Sequence, residues 1–219
     1  MQTSDTFPSK TRSWWLSTAG ILLIIGIISS MAAWWLIAVP VLTVSNVDKH
    51  HDHFAYTFLH AITGTVMLFL GLVNIYIGTT NRFFRFHKVV GATYLLGGSF
   101  GALSAIYITL GSYHKAAGSG VFANSTVSLL CLATAWLGTA AMSYRAVRNG
   151  RYDAHRDWII RSYVLVWSFV FCRLASRVPG VSDLGGGEAF IWLSWVAPLI
   201  ICEFVLQWRS GSKVAPRRS

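Results

Sequence analysis

His87 and His155 are the two residues of this 219-residue chain best placed to act on one common atom. Each stands at the start of a long apolar run, and each is followed at once by a cation, Lys88 or Arg156. One further apolar run lies between theirs, so both helices run in the same direction and both imidazoles can lie at one depth. A neutral imidazole from each of two helices is one way to hold haem iron axially, with Arg85 or Arg161 close enough to neutralise the propionates. The expected cofactor is then haem b, since no Cys-x-x-Cys-His attachment sequence is present. The competing reading is that His87-Lys88 and His155-Arg156 bind lipid phosphates at a membrane surface.

The other histidines suit other chemistry. His50, His51 and His53 cluster with Asp48 and Asp52. Imidazole and carboxylate together bind divalent metals, but the run has no closed ligand spacing and reads more readily as a solvated loop. His60 falls inside an apolar run, where its nitrogens need a partner: either a metal shared with His53, or a hydrogen bond to a neighbouring helix. Arg173 follows His155 by 18 residues, five turns at 3.6 residues each, so an unbroken helix puts both on one face. The three cysteines, Cys131, Cys172 and Cys202, all fall in apolar runs and read as small core residues.

The elements that carry these residues are membrane spans. Of the chain, 54% is hydrophobic and only 12% charged, about half the charged fraction of a soluble domain. A bilayer core is crossed by roughly 20 apolar residues. Six such runs are present, at Trp14 to Pro40, Phe54 to Thr79, Val89 to Gly111, Val121 to Tyr144, Asp157 to Val178 and Ala189 to Trp208. The expected fold is an all-α six-helix transmembrane bundle over residues 14–208, between a short segment 1–13 and a basic tail 209–219. The first run also resembles a signal peptide, but it exceeds the 7–15 apolar residues of a typical signal core.

The charges orient this bundle. Lys10, Arg12, Arg82, Arg85, Lys88, Arg145, Arg148, Arg151, Arg156, Arg161, Arg209, Lys213, Arg217 and Arg218 fall on one side. Only Lys49, Lys115, Arg173 and Arg177 are left for the other. The positive-inside rule makes the first side, with both termini, cytoplasmic. The net charge of +10 is thus a topology signal with attraction to anionic inner-leaflet lipids, and nucleic acid is not an expected partner.

Three spans carry stripes of small residues: His60, Gly64, Met67 and Gly71 on the second; His87, Gly91, Gly98, Ala102 and Ala105 on the third, widened by Gly97 and Gly101; and Asn124, Ser128, Cys131, Ala135 and Gly138 on the fourth. Such stripes mean close helix packing or a groove for a flat cofactor. Arg161 lies inside the fifth span and needs a partner there; Asp157 one turn earlier and Glu203 on the sixth span are the candidates.

The segments Arg85-Phe86-His87-Lys88-Val89-Val90-Gly91-Ala92-Thr93-Tyr94 and His155-Arg156-Asp157-Trp158-Ile159-Ile160-Arg161-Ser162-Tyr163 resemble the domain-of-unknown-function 2306 family of bacterial membrane proteins. Arg173 fits a further arginine of that family, and Lys88 stands where arginine is more usual. The resemblance spans roughly His60 to Arg177 and implies a multi-helix protein of the bacterial inner membrane, without implying a reaction. The histidine layout is also similar to that of the helical haem proteins that include the ascorbate-reducible cytochromes b and the ferric reductases. His87 and His155 match one histidine pair of that kind, whereas the fourth span offers no histidine opposite His60.

Three functions follow as expectations. One is a haem-binding redox protein. The second is a non-catalytic membrane protein, a small-solute or metal permease or an assembly partner, whose histidines and arginines organise the bundle. The third is an enzyme acting on lipid or quinone with His155 and Asp157 as acid and base. This ranks last, because residues two apart on a helix do not face each other.

Overall fold

The computed structural model describes residues 54–116, 124–175 and 188–213, together with Ile24, Gly26, Ile27, Ile28, Ser30, Met31 and Gly180. His50, His51, His53, the segment 1–13, most of the first apolar run and the tail beyond Lys213 lie outside the described residues.

The described residues are helical, with no strand among them. They form α1 (Phe54–Thr80), a single 3-10 turn (Phe84–Phe86), α2 (His87–Ala116), α3 (Asn124–Arg148), α4 (Tyr152–Val166), α5 (Ser168–Ala175) and α6 (Glu188–Lys213). Four helices are long and apolar enough to cross a bilayer: Ala55–Thr80, Phe84–Gly111, Asn124–Arg148 and Ala189–Arg209. The single fifth span expected from Asp157 to Val178 is instead two helices. They begin five residues earlier, at Tyr152, and are interrupted at Trp167, whose N–H turns to Val164 O at 3.2 Å in the i−3 pattern of a tightened turn. The five-turn register from His155 to Arg173 is therefore not carried by one helix. At its far end α6 runs past the expected Trp208 to Lys213, with Pro198 inside it.

The chain enters α4 through a tight turn with a clear cause. Gly150 stands at φ 70°, a left-handed conformation that only glycine adopts without strain. From there Gly150 N donates to Val147 O at 3.1 Å and Arg151 N to Ala146 O at 2.9 Å. This pair of bonds satisfies the last carbonyls of α3 and reverses the chain. Arg145 and Arg148 lie in the last turn of α3, where the helix dipole favours cations. Between α1 and α2 the reversal uses Asn81 and Phe83 at φ 54° and 58°. Both reversals fall at the same end as the C-terminal turns of α6; this is the basic end of the bundle.

In cross-section α1, α2, α3 and α4 form a ring in which α1 and α3 each pack against both α2 and α4, so that α2 and α4 are diagonal partners. Helix α6 closes the side of α3 and α4. The small-residue stripes act as sockets. A Cβ on Gly98 would lie 2.1 Å from the Trp136 ring and 2.5 Å from Met67 Cε, and one on Gly71 would lie 2.4 Å from the Tyr163 ring and 2.9 Å from the Tyr94 ring. Along the α1–α2 seam both helices supply sockets: on α1 Gly78 receives His87 and Gly71 receives Tyr94, and on α2 Gly91 receives Asn74, Gly98 receives Met67 and Gly101 receives Thr63. A large side chain on one helix thus meets bare backbone on the other, which lets the axes approach closely. Gly97 has no atom near its Cβ position and is no part of this seam. Gly26 of the first run lies against α1, its Cβ position 2.6 Å from Leu72.

Polarity is distributed as a bilayer requires. Asn74, Ser104, Ser128, Thr139, Ser143, Ser162, Ser168 and Ser194 are buried, while Leu96, Phe100, Leu103, Ile200, Ile201, Phe204 and Val205 face outward. A hydrocarbon solvent has no hydrogen bonds to offer, so the polar groups turn inward to one another. Trp195 Nε1 donates to Ser128 Oγ at 3.0 Å and Trp192 Nε1 to Asn124 Oδ1 at 2.9 Å, tying α6 to α3. Tyr163 Oη donates to Leu68 O at 3.0 Å, tying α4 to α1. Of the cysteines, Cys202 is buried, whereas Cys131 faces outward and is no core residue.

Tyr94, 0% exposed, links the diagonal pair: its hydroxyl lies 3.1 Å from Ser162 Oγ. Ser162 already donates to Ile159 O at 2.9 Å, so Tyr94 is the donor. Tyr94→Phe removes that donor cleanly and should cost about 1 kcal/mol. Ser162→Ala strands a buried hydroxyl and should cost more, about 1–3 kcal/mol. Unfolding curves of the detergent-solubilised variants check this order, and equal costs would refute the assigned direction.

Candidate functional site

His87 and His155 meet at the basic end of the diagonal. Their ring centroids are 6.2 Å apart, with the planes at 85°. The Gly150 turn starts α4 beside the last turns of α3, which brings His155 against Ser143. Nδ1 of His155 lies 3.0 Å from Ser143 O and 2.9 Å from Ser143 Oγ. A carbonyl only accepts, so Nδ1 carries the proton and Nε2 keeps its lone pair. His87 caps the 3-10 turn, stacks on Phe84 at 5.2 Å and 12°, and enters the space above Gly78, whose Cβ position is 3.3 Å from His87 Cε1. Its Nδ1 is buried without a protein partner.

The remaining candidates separate from this pair. Arg85 sits on the 3-10 turn, exposed, with its guanidinium 4.7 Å above the Phe86 ring. Arg161 lies deeper on α4 and is paired with α6. Nη2 donates to Glu203 Oε2 at 2.9 Å, Nε donates to Glu203 Oε1, and the guanidinium lies 4.7 Å from the Trp158 ring. Of the two partners expected for it, Glu203 is thus the one bonded, and this clasp joins α4 to α6. His60 is about 21 Å away from His87 along the bundle, opposite Gly101, fourteen residues further along α2. There its Nδ1 bonds to Gly101 O at 3.0 Å, the helix-to-helix alternative of the sequence reading. Arg173 is on α5, with its side chain outside the described residues. Asp157 lies 4.0 Å from Arg156 and makes no contact with His155 of the kind an acid–base pair requires.

Two residues of the site have no role that the sequence assigns. Ser143 orients His155 across a reversal whose geometry depends on Gly150, and no spacing rule relates residues 143 and 155. Asn74, 2% exposed, lies one rung along the seam from His87 with its Oδ1 unpartnered. A polar amide deep in an apolar run was the available signal.

Among the described residues, no three His, Cys, Asp or Glu side chains gather into a group that could hold a metal ion by themselves. What the site offers is two imidazoles from opposed helices, one of them oriented through its second nitrogen by a backbone carbonyl. No curated protein and no solved structure matches this chain. The model of the family described as predicted membrane protein (DUF2306) matches residues 57–206, more than half of the chain, over the helices that carry both motifs and the buried polar seam. This multi-pass membrane protein belongs to that family.

Proposed function

We propose that the protein is a b-type haem-binding redox protein of the bacterial inner membrane, with His87 and His155 as axial ligands. In this reading the bundle has six spans, the described helices and the first apolar run among them, and the basic end faces the cytoplasm with both termini. The observation that carries the proposal is the close imidazole pair, one ring from each of two helices. With metal–nitrogen bonds of about 2 Å, rings whose centroids are 6.2 Å apart would be near enough to share one metal, and His87 and His155 are the residues that would hold it. The Nδ1 bond of His155 to Ser143 O is the outer support that metal-bound histidines ordinarily have.

Haem held there would supply one-electron transfer. The chain's own part is to fix the two rings. Ser143 sets the tautomer and plane of His155, and the Gly78 socket admits His87 between α1 and α4. Arg161 is committed to Glu203, which leaves Arg85, at the rim, as the cation for a propionate. Arg82, Arg85 and Lys88 are exposed beside Phe83, Phe84 and Phe86, and no acidic residue occurs between Asp52 and Asp153. This turn suits the headgroup layer of an anionic leaflet.

An absorption spectrum of the purified protein, supplied with haem and then reduced, tests the reading. The wild type should show a reducible Soret band, and His155→Ala should lose it while Arg161→Lys keeps it. A folded, haem-supplied wild type without the band would overturn the proposal. The second reading, a permease or assembly partner with structural histidines and arginines, draws on the bonds of His60 to Gly101 and Arg161 to Glu203, and predicts no band in any variant.

A further inference from the structure

Two buried polar atoms on neighbouring rungs of the α1–α2 seam have no protein partner: His87 Nδ1 and Asn74 Oδ1. The sockets place them. His87 faces Gly78, and Asn74, four residues earlier on α1, faces Gly91, four residues later on α2, with the Gly91 Cβ position 3.3 Å from Asn74 Nδ2 and 3.6 Å from Oδ1. Four residues of helix advance about 6 Å, and two consecutive hydrogen bonds span about 5.5–6 Å. A buried group left unpaired is costly, and an enclosed water between two such groups is the usual remedy.

We infer that Asn74 is the positioning residue for His87, acting through one buried water that accepts the Nδ1 proton of His87 and donates to Asn74 Oδ1. The amide oxygen only accepts, so the water donates to it; of the two roles left to the water at Nδ1, accepting from Nδ1–H is the one that matches the support of His155 and leaves Nε2 its lone pair for a shared ligand. His155 is held in the same tautomer by Ser143 O. Two different helices, α1 and α3, thus supply matching supports for the two imidazoles on α2 and α4, and both rings keep Nε2 for a shared ligand. Neither support was readable from the spacing of the histidines.

The choice of Nδ1–H rests on the shared-ligand reading, the link from Asn74 to His87 does not, and the experiment separates them. Histidine-selective 15N NMR of the wild-type protein in lipid nanodiscs, without haem and well above the ordinary histidine pKa of about 6.5, should show His87 as the Nδ1–H tautomer, its signals identified by their loss in His87→Gln. The Nε2–H tautomer in the wild type overturns the inference whatever the variants do. Asn74→Leu should reduce the Nδ1–H population of His87 and leave His155 unchanged, and Asn74→Thr, which keeps a small polar group, should retain more of it than leucine does. An unchanged His87 in Asn74→Leu also overturns the inference. In haem titrations Asn74→Leu should bind about 10–100-fold more weakly than wild type. A wild type that shows the expected tautomer but takes up no haem supports the Asn74 support and sinks the haem reading alone.

Discussion

Gly98→Ala is expected to destabilise the bundle by about 1–3 kcal/mol, although it adds a single methyl group and improves helix propensity. The new Cβ would lie 2.1 and 2.3 Å from two atoms of the Trp136 ring and 2.5 Å from Met67 Cε. Real contacts of that length do not occur, so α2 must move off both α3 and α1, or Trp136 and Met67 must leave their places. Both routes damage the centre of the core, where Met67, Tyr94 and Trp136 are all buried. Tyr94 lies one turn from Gly98 and holds the α2–α4 diagonal through Ser162, so the displacement should reach the histidine pair as well. Gly97→Ala is the matched control: its Cβ position has open space around it. Helix propensity alone then makes alanine better by up to about 1 kcal/mol. Unfolding of both variants in mixed detergent micelles should give shifts of opposite sign. Equal shifts would mean that the stripe of small residues is not a set of sockets.

Glu203→Leu is expected to cost about 1–3 kcal/mol, above a surface pair and below a fully buried one, because the Arg161 side chain is 14% exposed and that of Glu203 42%. Arg161 points its bonding toward the Glu203 carboxylate and the Trp158 face. Without the carboxylate a guanidinium remains in an apolar setting, and guanidinium has no neutral form available to it. Arg161→Leu should cost less, because a carboxyl group can be neutralised by a proton and Glu203 is 42% exposed. The double replacement with leucine should recover most of the loss, since two apolar side chains in place of a buried pair are often neutral. A double-mutant cycle in denaturant measures the coupling. Glu203→Leu costing under about 1 kcal/mol would show a solvated surface pair, and the α4–α6 clasp would then have no structural weight.

Much of the architecture is readable residue by residue, and the places where the reading fails are physically specific. Runs of apolar residues long enough to cross a bilayer announce themselves because lipid demands them on every outward face, and α1 begins at Phe54 as its run does. Helix ends are harder. The third span starts at His87 and not Val89, because the 3-10 turn of Phe84–Phe86 feeds directly into it. The break at Trp167 has no proline or glycine to mark it; it falls among packed aromatic rings, with Tyr163 at 6.5 Å and Phe171 at 6.0 Å. Without that break the periodicity argument for His155 and Arg173 would have held.

The candidate site divides in the same way. Histidine, cation and depth could be taken from positions 87, 88, 155 and 156, because two odd-numbered spans must start at one surface. The partner of Arg161 was one of two candidates until α6 placed Glu203 against it. His60 had to bond to something, but whether to a metal or to a backbone carbonyl depended on which atom of α2 stood opposite, and that atom is Gly101 O.

By itself the amino-acid order determined that this protein is a multi-pass helical membrane protein and which residues are too polar for their surroundings, since both follow from the one-dimensional transfer of side chains into hydrocarbon. Tertiary structure alone decided what satisfies those residues: Ser143 for His155, Glu203 for Arg161 and Gly101 for His60. Hydrogen bonds and ion pairs act over a few ångströms in definite directions. They are settled only when helices distant in sequence are set side by side, by glycine sockets that no hydropathy pattern distinguishes from the glycines that face outward.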